Sequence, residues 1–376
     1  MILTSQSSAN WIDGSRVGIS LRLAPALTLG FVLSAFFPGA NESLAKDSAA
    51  KDSAGAVNDQ SADGNTFGAQ RNPDPIELIQ AMSLALNNLN YEGIFVHAQG
   101  VNLTSMHIVH SSDENGELER LRALDGEARE VIRNDSLVTC VWPDSQSVVV
   151  SKSKPRDLLP RVDAGIINNQ RYVFSLHGRD RVAGRATFVV DVTPRDQYRY
   201  GYRFWIDQLN SMLLRSLLLE GTGNPVEQII FTQIQFPAKI DKSLFDPGTS
   251  GERISWLEPK RISAAKSLDR NGPKNSDRVL FQQLPQGYEK ISETFSSIPI
   301  KSGSVSHVML SDGMASVSVY VEYVAADRHT ESALGLSRMG AMNAFGRSTP
   351  GALITAVGEV PAATVRSIAA AVQLRE

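Results

Sequence analysis

His107 and His110 are the closest-spaced histidines in this 376-residue sequence, and an i, i+3 pair of imidazoles can grip one metal ion from a helix. Here the run from Ser105 to Ser111 reads as a strand, where residues three apart face opposite ways, so the two rings cannot chelate together. His97, His177, His307 and His329 are dispersed. A single cysteine, Cys140, excludes a multi-thiolate metal site and an intrachain disulfide framework. It lies in the apolar strand-like run Leu137 to Trp142 and reads as a buried, inert thiol. Nucleophile motifs are equally thin. Gly335 to Gly340 is one residue off the G-x-S-x-G elbow and has no strand feeding it. Gly272-Pro273-Lys274 lacks the upstream glycine and the helix of a P-loop, and no dinucleotide fingerprint follows a strand. Carboxylate pairs such as Glu117 and Glu119 sit beside a turn rather than among apolar neighbours that would split their pKa values. The residues therefore point to a binding protein without catalytic residues, cofactor or metal. A hydrolase whose site is assembled from distant residues is the competing reading.

The strongest binding signal is an alternation. Tyr198, Tyr200, Tyr202 and Phe204 would share one face of a strand, and Arg199, Gly201, Arg203 and Trp205 the other. The four aromatics are candidates to line a cavity for an acyl chain. An ordinary sandwich or helix-covered core is the preferred reading of all four. The arginine face could meet anionic headgroups, or pair with neighbouring carboxylates.

Elements must position such a face. Asp74, Pro75 and Glu77 carry the capping pattern of a helix whose Ile76, Ile79, Met82, Leu86 and Leu89 recur at helical spacing. From Tyr91 to Phe236 strands dominate, including single strands expected over Tyr91 to Gln99, Leu137 to Trp142 and Arg195 to Ile206, with turns at Asn115-Gly116 and Asp125-Gly126. This reads as an antiparallel meander with one helix at its start. Residues 237–276 are punctuated by Pro and Gly and read as a connector. Beyond it come the turn Leu284 to Gly287, a hairpin about Asp312-Gly313, a strand from Ala352, and a helix after Pro361 with the stripe Val365, Ile368, Ala369 and Val372.

Ahead of the helix, Arg16 and Arg22 precede the 15-residue apolar run Leu23 to Phe37, short for a spanning helix and suited to an export signal, though an uncleaved anchor is the alternative. Cleavage would follow Ala40 or Ala45. Residues 46–72 are rich in Ala, Ser, Asp and Gly and read as a disordered tether. A net charge of −3 argues against a chain that coats nucleic acid.

Several stretches resemble the RseB/MucB family, periplasmic negative regulators of an envelope-stress sigma factor of the sigma-E or AlgU type. They are LNYEGIFVHAQG (89–100), SMHIVHSSDENGELERLRALDGEAREVIRND (105–135), RVAGRATFVVDVTPRDQYRYGYRFWID (181–207) with MLLRSLLL (212–219), SDGMASVSVYVE (311–322), GAMNAFGR (340–347) and AVGEVPAATVRSIAAAV (356–372). The long tether and Cys140-Val141-Trp142 depart from the family pattern. The resemblance implies an α+β chain. Its first domain (73–237) would be a half-open antiparallel β-barrel like the lipoprotein carriers LolA and LolB, with helices plugging the concave face. A connector (238–276) would lead to a smaller antiparallel α+β domain (277–376). The partner implied is the periplasmic domain of an inner-membrane anti-sigma factor, shielded from regulated proteolysis until a lipid-like signal, lipopolysaccharide or lipoprotein acyl chains, releases the shield. A segment containing Gly340, Asn343, Phe345 and Arg347 is the candidate peptide-contact loop. Homo-oligomerisation stays open, and a carrier of the LolA/LolB type is the alternative.

Overall fold

The computed structural model describes residues 72–114, 116–134, 137–144, 147–151, 171–247, 278–298, 303–323 and 334–374. The expected export signal, all but the end of the tether, and the connector from residue 248 onward lie outside the described residues.

Helix α1 (Pro75–Asn88) starts where the capping signal places it. The Asp74 carboxylate accepts from the Ile76 amide at 2.9 Å, and Pro75 occupies the first turn. Its buried stripe is Ile79, Met82, Ala85 and Leu86. Eleven strands follow: β1 (Tyr91–Gln99), β2 (Asn102–Asp113), β3 (Gly116–Ala123), β4 (Glu130–Asn134), β5 (Leu137–Trp142), β6 (Ser147–Ser151), β7 (Tyr172–Val182), β8 (Arg185–Pro194), β9 (Gly201–Asp207), β10 (Leu213–Leu219) and β11 (Pro225–Gln235). They form one antiparallel sheet in the order β6-β5-β4-β3-β2-β1-β11-β10-β9-β8-β7.

The sheet is rolled. β7 approaches β11 although three strands lie between them. In a flat sheet four spacings would hold them about 19 Å apart. At that side the Arg185 guanidinium covers the Phe236 ring, 4.9 Å from its centroid. Helix α1 touches β2, β7, β8 and β10 and fills the concave face. Its Ile79, Met82 and Leu86 join Tyr91, Phe95, Met106, Tyr202, Phe204 and Phe231 in one apolar cluster. Among the described residues the sheet stays unclosed, because its edge strands β6 and β7 do not pair. Of the half-open barrel with plugging helices, the described residues show a rolled, unclosed antiparallel sheet with one helix, α1, on its concave face.

A second, six-stranded antiparallel sheet has the order β13-β14-β15-β18-β17-β16, with β13 (Glu289–Ile298), β14 (Gly303–Ser311), β15 (Ser316–Tyr323), β16 (Gly335–Met339), β17 (Met342–Thr349) and β18 (Ala352–Gly358). Helix α2 (Ala362–Ala371) lies on β17 and β18. A two-stranded ribbon of β12 (Val279–Phe281) with β19 (Val372–Leu374) completes this unit. Val317, Val319 and Val321 of β15 are fully buried, with Ile354 and Ala356 of β18 and Val365 and Ile368 of α2. The alternation and the helical stripe read from the sequence thus become one core.

Two expectations fail here. The strand expected over Arg195 to Ile206 begins only at Gly201, because residues 195–200 turn. The Asp196 carboxylate accepts from the Tyr198 amide at 2.9 Å, an Asx turn that competes with a strand ladder. The candidate loop through Gly340, Asn343, Phe345 and Arg347 is a hairpin. β16 and β17 pair from Gly335↔Gly346 to Met339↔Met342 about a Gly340-Ala341 turn, and β17 pairs along its far side with β18.

Candidate functional site: the junction of the two units

Antiparallel topology gathers the residues of this site at one end of the first sheet. Gln99 ends β1, Tyr172 begins β7, Tyr200 precedes β9 and Glu220 follows β10. Three turns of the second unit and the start of α2 meet that end.

Arg199 is the centre. Its side chain is fully buried, as is that of Asp312. The Arg199 Nε donates to Asp312 Oδ2 at 2.5 Å, Nη1 donates to Asp196 Oδ2, and Nη2 donates to the Gln286 carbonyl at 2.5 Å. The guanidinium also sits 5.0 Å from the ring centroid of Tyr288. Asp312 works in two directions. Its Oδ1 accepts from the amides of Met314 and Ala315 at 3.0 and 2.8 Å and so builds its own turn. Its Oδ2 reaches across to Arg199 and accepts from the Tyr172 hydroxyl at 3.1 Å. Burial is the largest single influence on Arg199 and works against its charge. Asp312 and then Asp196 outweigh it and hold the group above the ordinary arginine value. Burial first, and Asp312 second, push the hydroxyls of Tyr172 and Tyr288 well above the usual tyrosine range. These phenols are proton donors and not nucleophiles at neutral pH.

Around this pair the contacts continue. The Tyr198 carbonyl accepts from the Thr364 hydroxyl at 2.8 Å and the Tyr288 hydroxyl at 3.3 Å. Asn343 Nδ2 donates to the Tyr200 hydroxyl at 3.1 Å and to the Val360 carbonyl at 2.8 Å. The Tyr200 hydroxyl in turn donates to the Ala341 carbonyl at 3.3 Å. Arg338 pairs with Glu220 at 2.7 Å. Gly287, at φ +91°, lies so close to Arg171 and Arg199 that a Cβ would stand 2.8 Å from the first and 3.1 Å from the second. Glycine is needed there both for its backbone and for its size. Ala341 is fully buried and belongs to the apolar cluster of the first sheet, where Met314 also packs. The second unit therefore covers the end of the concave core.

Of the aromatic quartet, Tyr202 and Phe204 lie in β9 and Tyr200 joins them in the concave core. Tyr202 and Phe204 stack at 5.4 Å in the concave core, Tyr200 is bonded to the second unit, and Tyr198 sits in the turn. Of the supposed loop residues, Gly340 abuts Gln99, Asn343 bridges to Tyr200, Phe345 packs on the second core and Arg347 donates to the Ala369 and Val372 carbonyls at the end of α2. Sequence reasoning missed Arg199 and Asp312 as partners. The Asp312-Gly313 turn was visible, but nothing in spacing alone joins positions 113 residues apart.

His110 and His107 face opposite sides of β2. His110 is fully buried, stacked on Tyr91 at 4.6 Å and bonded to Glu117, while His107 pairs with Glu92. Among the described residues no three His, Cys, Asp or Glu side chains are placed to hold a metal ion. Cys140 is buried in the first core, and burial pushes its thiol up to about 11. No helix among the described residues is long and apolar enough to cross a membrane.

Two family models match the chain in order and without overlap: the MucB/RseB N-terminal domain over residues 74–249 and the MucB/RseB C-terminal domain over residues 274–373. The chain belongs to the MucB/RseB family. Among MucB/RseB relatives, the sigma-E factor regulatory protein RseB of Haemophilus influenzae is 27% identical over 301 residues, which are 79% of this chain and 90% of the relative. The sigma factor AlgU regulatory protein MucB of Pseudomonas aeruginosa is 26% identical over 310 residues, 80% of this chain and 91% of that protein. The fold matches MucB as it stands in the Pseudomonas aeruginosa MucA/MucB complex structure, with a TM-score of 0.62 at 24% identity, covering 81% of this chain and all of that one. The stretches that resemble MucB/RseB include 181–207, 311–322 and 340–347, which hold Arg199, Asp312 and Ala341, and 356–372, which holds Val360 and Thr364 of the same junction.

Proposed function

We propose that this chain is a periplasmic, non-enzymatic regulator. It binds the periplasmic domain of an anti-sigma factor, shields that domain from regulated proteolysis and so keeps an envelope-stress sigma factor inactive. The observation that carries this reading is the ordered match of both family domains across one chain. A carrier needs only an apolar cavity, whereas this chain joins a second unit to the first through a buried polar junction. In this reading residues 1–45 direct export, 46–72 are a tether, 73–237 sense lipid, 238–276 connect, and 277–376 supply much of the contact to the anti-sigma factor. Among the described residues β16 is an edge strand exposed along its whole length, which leaves a row of backbone groups that an extended peptide can pair with. Pairing an extended segment in this way removes it from a protease cleft.

Lipid-like signals act in this reading through the concave core that holds Tyr202 and Phe204. A ligand relieves inhibition only by favouring the state that does not hold the partner. The test is a capture experiment with the full chain, offered either the purified periplasmic domain of the anti-sigma factor or an acylated lipoprotein. Capture of the former at micromolar concentration is expected. Capture of the lipoprotein alone would support the carrier reading instead.

A further inference from the structure

The junction is held in an unusual way. Among the described residues the second unit places Ala341 and the partly buried Met314 in the first core, so little apolar surface of these residues joins the two units. What joins them is a set of directed polar bonds around a guanidinium with no solvent contact. A buried ion pair adds little net stability against an apolar alternative, but losing one partner strands the other charge. Such a joint is closed when every partner is in place and gives way when one is removed.

We propose that the Arg199–Asp312 pair is a latch that keeps the Gly340-Ala341 turn over the end of the first sheet, and that its release uncovers the concave apolar core. The inference rests on the geometry of the junction and not on the identity of any partner. Asp312 allows the latch to be broken cleanly. In Asp312→Asn the amide oxygen can keep accepting from the Met314 and Ala315 amides, which preserves the turn. The amide nitrogen then faces the donors of Arg199 and Tyr172, and Asp196 is left as the carboxylate on Arg199. A staple provides the counterpart. A Cβ on Gly340 would lie 2.5 Å from Cγ of Gln99, and Cγ is one C–C bond of about 1.5 Å from the Gln99 Cβ, so the Cβ atoms of Gln99→Cys and Gly340→Cys stand at most about 4.0 Å apart, within reach of a disulfide. Buried Cys140 does not compete for the bridge.

The experiment is hydrogen exchange on the full chain, with emission from anilinonaphthalene sulfonate as the reporter of uncovered apolar surface. In Asp312→Asn, segments 196–201 and 338–343 should exchange at least about tenfold faster, with β1, β2, β15 and β18 unchanged, and dye emission should rise. Adding the oxidised staple to Asp312→Asn should cancel both effects, and reducing it should restore them. Wild-type exchange at 338–343 in Asp312→Asn would overturn the latch. So would a loss of protection spread evenly through both sheets, or a staple without effect.

Discussion

Arg199 keeps a full charge without water because Asp312 and Asp196 replace its hydration. That arrangement sets the size of the response to mutation. Asp312→Ala removes the turn cap and the fully buried carboxylate of the pair, leaving Asp196 as the remaining counter-charge of Arg199, and should cost about 3 kcal/mol in urea unfolding. Arg203 pairs with Asp191 at the surface of the first sheet, with 30% of its side chain exposed. Arg203→Ala should therefore cost less than about 1 kcal/mol in the same measurement. His307 gives a pH-dependent prediction. It is stacked on Tyr320 at 4.5 Å, and burial holds its pKa below the ordinary histidine value of 6.5. The unfolded chain then binds the proton more readily than the folded one, so this histidine withdraws stability as the pH falls below about 6.5. His307→Phe keeps an aromatic ring for the stack and cannot titrate. Its urea midpoint should fall less steeply than wild type between neutral pH and pH about 5. The arginine was visible in the sequence, but its role was not. Alternation assigned it to a strand face, and the Asx turn at Asp196 moved it into the junction.

Elements were legible where local signals agree with packing. The capping residues fix the start of α1, and the apolar alternation of Tyr91 to Gln99 and Leu137 to Trp142 gives the bounds of β1 and β5. The β16–β17 hairpin was not legible. All five residues of β16 are exposed, so no buried alternation marks it, and the run Gly340 to Arg347 is rich in small residues. Its place in the sheet is set by the pairing of β17 with β18 across the next turn. Close approach of strands makes its own demand at Gly93, where a Cβ would lie 2.6 Å from the Gln233 carbonyl and 3.1 Å from the Phe231 ring. Gly93→Ala should push β11 away and cost about 1–3 kcal/mol, read as a lower melting temperature with the junction intact.

Among the described residues the molecule is built on two large sheets of unequal size, the smaller with a two-stranded ribbon, whose cores meet at a buried polar joint. The rolled shape of the first sheet could not be read from strand order, since it follows from accumulated twist and from what fills the concave side. The division of labour has a direct consequence. Removing residues 277–376 takes away Asp312, Ala341 and Asn343 together, so the truncated chain should bind anilinonaphthalene sulfonate strongly and lose capture of the anti-sigma domain. The decisive measurement is the rate at which the regulatory protease cuts the purified periplasmic domain of the anti-sigma factor, with and without the full chain in excess. Cleavage should slow at least about tenfold when the chain is present, equivalent to about 1.4 kcal/mol of protection. An unchanged cleavage rate, with the two proteins at concentrations where capture is complete, would contradict the proposed role.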